Sequence, residues 1–221
     1  NTASINWGSA GSSVTLHDGT MLNVSGRSNS HHVIGSDLVL GTSASDAVSL
    51  RWNDASQANA TNYQNNFTGN VTVNGSVTVT GIAGWAKEMG FTGTLTGDGT
   101  LTYKRGEGDG RYNANGKMII NGDASGFTGT VVADATHGYS AGLDLYSSMT
   151  QGSVALTSGD NTTGFAFMRV LGDIEIASLD GTANSQVGAV GGARTLTVGS
   201  GTYNGSIVDK GVAIAYGATA I

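Results

Sequence analysis

Short runs of alternating apolar and polar residues occur along the whole chain. Period-two alternation places apolar side chains on one face of a strand, so each run predicts a β-strand with one buried face. Nearly every run is bounded by Gly, Asn, Asp or Ser, which favour turns. The predicted strands cover residues 13–16, 21–24, 37–40, 48–50, 71–73, 76–80, 117–120, 153–156, 173–176 and 195–198.

Two segments depart from this strand pattern. Residues 82–90 (IAGWAKEMG) predict one or two helical turns that end at Gly90, and residues 54–64 (DASQANATNYQ) are a weaker helical candidate. We expect both segments to be excursions from an otherwise all-β fold.

The pentapeptide GFTGT occurs twice, at residues 90–94 and 126–130. In relaxed form the motif is an aromatic residue with a glycine two positions later, followed by a strand. The aromatic residues at 67, 91 and 127 are separated by 24 and 36 residues. Spacings in this range indicate a solenoid, whose coils bury their apolar faces against one another. The four motif copies are Phe67 with Gly69, Phe91 with Gly93, Phe127 with Gly129, and Tyr203 with Gly205.

Coils of about 20–24 residues predict roughly nine to eleven coils, stacked at about 4.8 Å. No linker divides the chain, so we expect a single β-solenoid domain over residues 1–221. The absence of proline agrees with this prediction, because each strand of a stacked coil donates its N–H groups to a neighbour. The 36 glycines are expected to form turns.

Composition excludes several classes of function. The chain has no cysteine, which excludes disulfides, zinc-thiolate sites and thiol nucleophiles. Its formal net charge is −6 and its ten basic residues are scattered, so nucleic acid is not an expected partner. No apolar run approaches the roughly 18 residues of a membrane span.

Two motifs suggest metal binding, and both have simpler interpretations. Glu107 and Asp109 lie in a charged, glycine-rich stretch at residues 104–111 that is similar to calcium-binding turns. The stretch occurs once, so an exposed coil corner is expected instead. His31 and His32 would point to opposite faces of a strand, which disfavours joint metal ligation. We therefore assign no metal ligand and no cofactor.

A carbohydrate-cleaving β-helix would need carboxylates that converge on one face. Asp173 and Glu175 point to the same side of one predicted strand, with Arg169 four residues before Asp173, and coiling could bring Asp144 and Asp180 close. The simpler interpretation is a solvated strand face, so no catalytic residue is assigned.

Threonine and serine alternate with valine at residues 71–73 and 76–80. Such rows could form a hydroxyl ladder on the outside of the solenoid that binds glycans or ice. The simpler interpretation is that threonine favours outward positions of strands.

Residues 194–214 (RTLTVGSGTYNGSIVDKGVAI) resemble the autotransporter-associated β-strand repeat, and Phe67, Phe91 and Phe127 are similar to its aromatic position. The resemblance implies a right-handed parallel β-helix, displayed on or secreted from a Gram-negative-type bacterium, commonly as an adhesin or passenger. No C-terminal membrane barrel follows, so we expect a mature or excised part of a longer surface protein.

The predicted function is therefore a non-enzymatic, extracellular structural or adhesive solenoid. Its expected partners are surface glycans, a host or neighbouring cell surface, or further copies through end-to-end association. Two alternatives remain open, a self-assembling extracellular filament subunit and a polysaccharide lyase or glycosidase on the same fold.

Overall fold

The computed structural model describes residues 3–7, 11–25, 30–53, 63–82, 87–105, 116–137, 139–159 and 164–208. All regular secondary structure among these residues is β. The strands are β1 (Ala3–Trp7), β2 (Ser13–Leu16), β3 (Met21–Ser25), β4 (Ser30–Ile34), β5 (Asp37–Leu40), β6 (Ala47–Asn53), β7 (Tyr63–Phe67), β8 (Val71–Val73), β9 (Ser76–Ile82), β10 (Lys87–Phe91), β11 (Leu95–Thr96), β12 (Thr100–Arg105), β13 (Lys117–Ile120), β14 (Thr130–Ala135), β15 (Ala141–Leu145), β16 (Met149–Ser158), β17 (Ala166–Val170), β18 (Ile174–Gly181), β19 (Gln186–Ala189), β20 (Leu196–Ser200) and β21 (Ser206–Val208).

The strands form three parallel sheets. Sheet A has the order β1-β4-β7-β10-β13-β15-β17-β19-β21, sheet B the order β2-β5-β8-β11, and sheet C the order β3-β6-β9-β12-β14-β16-β18-β20. The chain visits A, B and C in turn as far as β12 and then alternates between A and C. Because every strand pairs in parallel with the equivalent strand of a neighbouring coil, the fold is a parallel β-solenoid, which confirms the all-β solenoid prediction. The number of nine to eleven coils and the right-handed sense stay predictions.

The core lies between the inner faces of the sheets. In β14 the burial alternates residue by residue, with Val131 and Ala133 inside and Val132 and Asp134 towards the outside. Inward residues stack in register across coils, so each buried row continues through the solenoid. One such row of sheet C is Val77, Leu101, Val131, Val154 and Leu179.

The helical prediction for residues 82–90 is wrong where the structure describes that segment, because residues 87–91 form β10. Met89 and Phe91 point inwards and pair in register with Met118 and Ile120. Burial of Met89 and Phe91 in the core outweighs the local preference of this segment for a helix. For the weaker candidate at 54–64, residues 63 and 64 belong to β7, and residues 54–62, like 83–86, lie outside the described residues.

Candidate functional site

Two of the four aromatic motif copies occupy equivalent positions. Phe67 and Phe91 end β7 and β10 and are paired in register, with ring centroids 5.3 Å apart and planes inclined by 16°. The next residue in this row is Ile120, which is aliphatic. The 24-residue interval between the two phenylalanines is therefore one coil.

The other two copies lie at different corners of the coil. Phe127 forms a bridge with Gly97, between sheets B and C, and Tyr203 forms a bridge with Gly181, between sheets C and A. The second GFTGT therefore does not repeat the position of the first. The 36-residue interval from Phe91 to Phe127 joins two different corners and is not a coil length.

All four motifs share a packing role for the glycine. A Cβ atom at any of them would come closer than 3.0 Å to a carbonyl oxygen of the preceding coil, a distance that real Cβ atoms essentially never show. The motif glycine thus allows two coils to approach at a corner. The glycines and the residues that supply the carbonyl oxygens are Gly69 with Ser36, Gly93 with Gly69, Gly129 with Gly99, and Gly205 with Ser185.

The threonine between the aromatic residue and the glycine adds hydrogen bonds between the coils at this corner. The carbonyl oxygen of Phe67 accepts hydrogen bonds from the Thr92 N–H at 2.9 Å, the Gly93 N–H at 3.3 Å and the Thr92 hydroxyl at 3.3 Å. Thr68 and Thr128 donate from both N–H and hydroxyl to Ile34 and Gly97 in the same way. The repeated motif therefore connects successive coils.

Two of the acids that sequence reasoning considered for catalysis bond to the backbone of the next coil. The carboxylates of Asp173 and Asp180 accept hydrogen bonds from the backbone N–H groups of Thr195 (2.9 Å) and Thr202 (2.8 Å) in the next coil, while Glu175 is exposed on β18. These aspartates hold turns together. Asp18 and Asp37 bond the N–H groups of Ala47 and Asn70 in the same manner.

Four charged side chains do meet, on consecutive strands β10, β13, β15 and β17 of sheet A. Lys117 Nζ lies 2.7 Å from Glu88 Oε1 and 2.9 Å from Asp144 Oδ2. Arg169 donates from Nε to Asp144 Oδ1 at 2.6 Å and from Nη2 to Asp144 Oδ2. We call these four residues the ion cluster.

The ion cluster is nearly closed to solvent and its charges balance. Asp144 is only 1% exposed, and it contacts both cations. Burial opposes the charge of Arg169, but the hydrogen bonds and the charge of Asp144 raise the arginine pKa above its usual value. The ion cluster thus joins four strands, and each of its charges has an opposite charge beside it. Sequence reasoning singled out Asp144 and Arg169 but missed Glu88 and Lys117, because it could not supply the register.

The outer face of sheet C carries rows of hydroxyl groups. Its residues lie on a grid of about 4.8 Å between strands and about 6.7 Å along each strand. Side chains in both rows are exposed or half-buried. We call the following set the hydroxyl face: Ser76, Thr100, Thr130, Ser153, Ser178 and Ser200 in one row, and Ser49, Thr78 and Thr102 in the next.

A third row on this face contains charged groups, with Arg51, Thr80, Lys104 and Asp134 in register. Lys104 Nζ lies 3.0 Å from Asp134 Oδ2. Burial opposes ionisation of Asp134, but hydrogen bonds from Thr136 and the contact with Lys104 lower its pKa. Arg51 Nε is buried and has no hydrogen-bond partner among the described residues.

An apolar cleft lies between the last described strands of sheets A and C. Its volume is about 930 Å³, and its lining includes Val170, Leu179, Val187, Val198 and Ile207. Ile207 is 78% exposed and Val198 is 38% exposed, although both continue inward rows of the core. Among the described residues, the inner face of the solenoid is therefore open here.

The proposed metal motifs receive no further support. Glu107 and Asp109 lie outside the described residues. His31 and His32 are neighbours on β4, but their side chains also lie outside the described part. Where side chains are described, no group of three or more histidine, aspartate or glutamate residues could hold a metal ion.

Comparison with protein-family models, with curated proteins and with solved structures found no match to this chain. The described residues include no helix long and apolar enough to cross a membrane.

Proposed function

We propose that the chain is a non-enzymatic structural and adhesive β-solenoid of a Gram-negative-type bacterial cell surface. The resemblance of residues 194–214 to the autotransporter-associated repeat supports the extracellular location and a right-handed sense. The observation that carries the adhesive function is the hydroxyl face, which offers many aligned donors and acceptors on one side of the stack.

A structural role follows from how the coils are joined. Parallel backbone pairing runs through all three sheets, and the glycine corners let neighbouring coils approach closely. A stack of nine to eleven such coils would form a rod about 45–50 Å long. Such a rod would hold the hydroxyl face in a fixed geometry, which limits the entropy lost when a ligand binds.

The alternative of a polysaccharide lyase or glycosidase has weaker support. A glycosidase needs two carboxyl groups that flank the scissile bond. In the ion cluster, Glu88 and Asp144 instead contact Lys117, and Asp144 also contacts Arg169. The arrangement resembles a structural ion-pair network more than a catalytic pair.

Binding to glycans tests the proposal. Wild-type protein is expected to bind members of a glycan array and glycan-coated cells. Replacement of Thr78, Thr100 and Thr102 by alanine is expected to weaken binding at least tenfold, because the triple variant removes three adjacent hydroxyl groups. The control is the double variant Thr72→Ala and Thr96→Ala, whose hydroxyls lie 3.2 Å apart on sheet B. An equal loss of glycan binding in the triple and the double variant, or no binding by wild-type protein, would contradict the proposal.

A filament subunit is the second candidate, and the exposed Ile207 and Val198 of the apolar cleft favour it. Uncharged sheet edges are templates for pairing with another chain. We expect negative-stain electron microscopy over a concentration series to show rods that lengthen with concentration. Ile207→Lys should abolish lengthening, whereas Ser45→Lys on an exposed turn should not. Rods of constant length at every concentration would exclude assembly through this cleft.

A further inference from the structure

We propose that Arg51 is a carboxylate-binding residue, which makes the outer face of sheet C a site for a glycan that contains an acidic sugar. This inference rests on the proposed glycan-binding function. It adds the ligand class and the residue that selects it.

Arg51 lies among neutral polar residues on the outer face. On β6 it is in register with Asn23 of β3 and Thr80 of β9. Ser49 is two residues earlier on the same face of β6, and Thr78 is its partner on β9. Arg51 thus occupies a position next to residues that carry one amide and three hydroxyl groups, all of which can bond to sugar hydroxyls.

The charge of Arg51 is not balanced by its described neighbours. None of its partners in register on β3 and β9 is acidic. The other described cation in this row, Lys104, is two strands away and pairs with Asp134 at 3.0 Å. In sheet A, by contrast, Lys117 and Arg169 both contact Asp144.

The Nε atom of Arg51 has no acceptor among the described residues. It is buried without a hydrogen-bond partner among the described residues, while the residue as a whole is partly exposed. A buried unpaired donor is unfavourable, and native proteins rarely keep one. Nε itself is closed to a ligand, so a carboxylate would bind at the terminal Nη groups of this partly exposed residue and balance its charge.

The chemistry favours a carboxylate on a hydroxyl-rich ligand. The planar guanidinium fork matches a carboxylate with two parallel hydrogen bonds. The net charge of −6 repels dense polyanions, so a single local cation suits a ligand with isolated acidic groups. A uronic or sialic acid unit within a glycan combines this carboxylate with hydroxyl groups for the neighbouring serine and threonines.

Paired probes that differ in the carboxylate test the site. The first pair is oligogalacturonate and its methyl ester, and the second is sialyllactose and lactose. Calorimetry at low ionic strength is expected to show at least tenfold tighter binding of the acidic member of at least one pair. Arg51→Gln should abolish that preference, and Arg51→Lys should retain only part of it because lysine lacks the fork. Lys104→Gln, the matched control, should leave the preference unchanged.

The outcomes separate this site from the proposed function. If Arg51→Gln and wild type show the same preference, or wild type prefers neither acidic probe, the carboxylate site is overturned while array binding to the hydroxyl face still stands. If wild type binds no glycan on the array or among the probes, the proposed function is overturned as well. A thermal midpoint for Arg51→Gln well below that of Lys104→Gln would assign Arg51 a structural role and also overturn the site.

Discussion

Replacement of Gly93 by alanine is expected to lower the free energy of unfolding by about 4 kcal/mol or more, the range of the most damaging single substitutions. An alanine Cβ would come closer than 3.0 Å to backbone atoms of Thr68 and Gly69. Those backbone atoms cannot withdraw freely, because the Thr92 and Gly93 N–H groups are bonded to the carbonyl oxygen of Phe67. The substitution must therefore separate two coils or break their hydrogen bonds.

The measurement is urea unfolding followed by far-ultraviolet circular dichroism. Gly172→Ala is the matched control, since its Cβ would make an ordinary contact of 3.5 Å with the carbonyl oxygen of Tyr146. We expect this control to change the free energy of unfolding by about 1 kcal/mol or less. Similar unfolding curves for the two variants would show that the coils do not approach as closely at Gly93 as the structure indicates.

Replacement of Asp144 by alanine is the second large effect that we expect, a loss of about 3–5 kcal/mol of unfolding free energy. The substitution removes the carboxylate that both Lys117 and Arg169 contact. These cations have side-chain exposures of only 14% and 21%, so solvent cannot fully replace the lost partner. Breaking a buried ion pair costs more than the pair contributes, because an uncompensated charge stays behind.

Asp134→Ala is the comparison for a more exposed pair. Its partner Lys104 is 37% exposed, and such pairs contribute about 1 kcal/mol or less. The double variant Asp144→Leu with Arg169→Met should recover part of the loss, because it removes the cation that loses its partner and keeps the pair of Lys117 and Glu88. Equal effects of Asp144→Ala and Asp134→Ala in denaturant unfolding would be inconsistent with a buried ion cluster.

Sequence reasoning succeeded where the signal was local. The alternation at residues 76–80 and 153–156 predicted strands that the structure contains in β9 and β16, because inward and outward positions differ in polarity at every step. It failed at residues 87–90, where the tripeptide Lys87-Glu88-Met89 favours a helix locally. Pairing with β7 and β13 decided that segment, and neither partner strand is near it in sequence.

The sequence by itself therefore determined the class of fold and the composition of its corners. Period-two alternation, abundant glycine, the absence of proline and the aromatic-x-glycine motif all follow from strands that stack coil on coil. These features are local. Each depends on the backbone conformation of a single residue or on whether its side chain points into or out of the solenoid.

Only the tertiary structure decided which residues meet. Glu88, Lys117, Asp144 and Arg169 are neighbours although 29, 27 and 25 residues separate them in turn, and two identical GFTGT segments occupy different corners. Coil length varies because the turns and excursions between strands differ in length. Register is set by backbone hydrogen bonds between coils, so a pattern read along one coil does not determine the partner in the next.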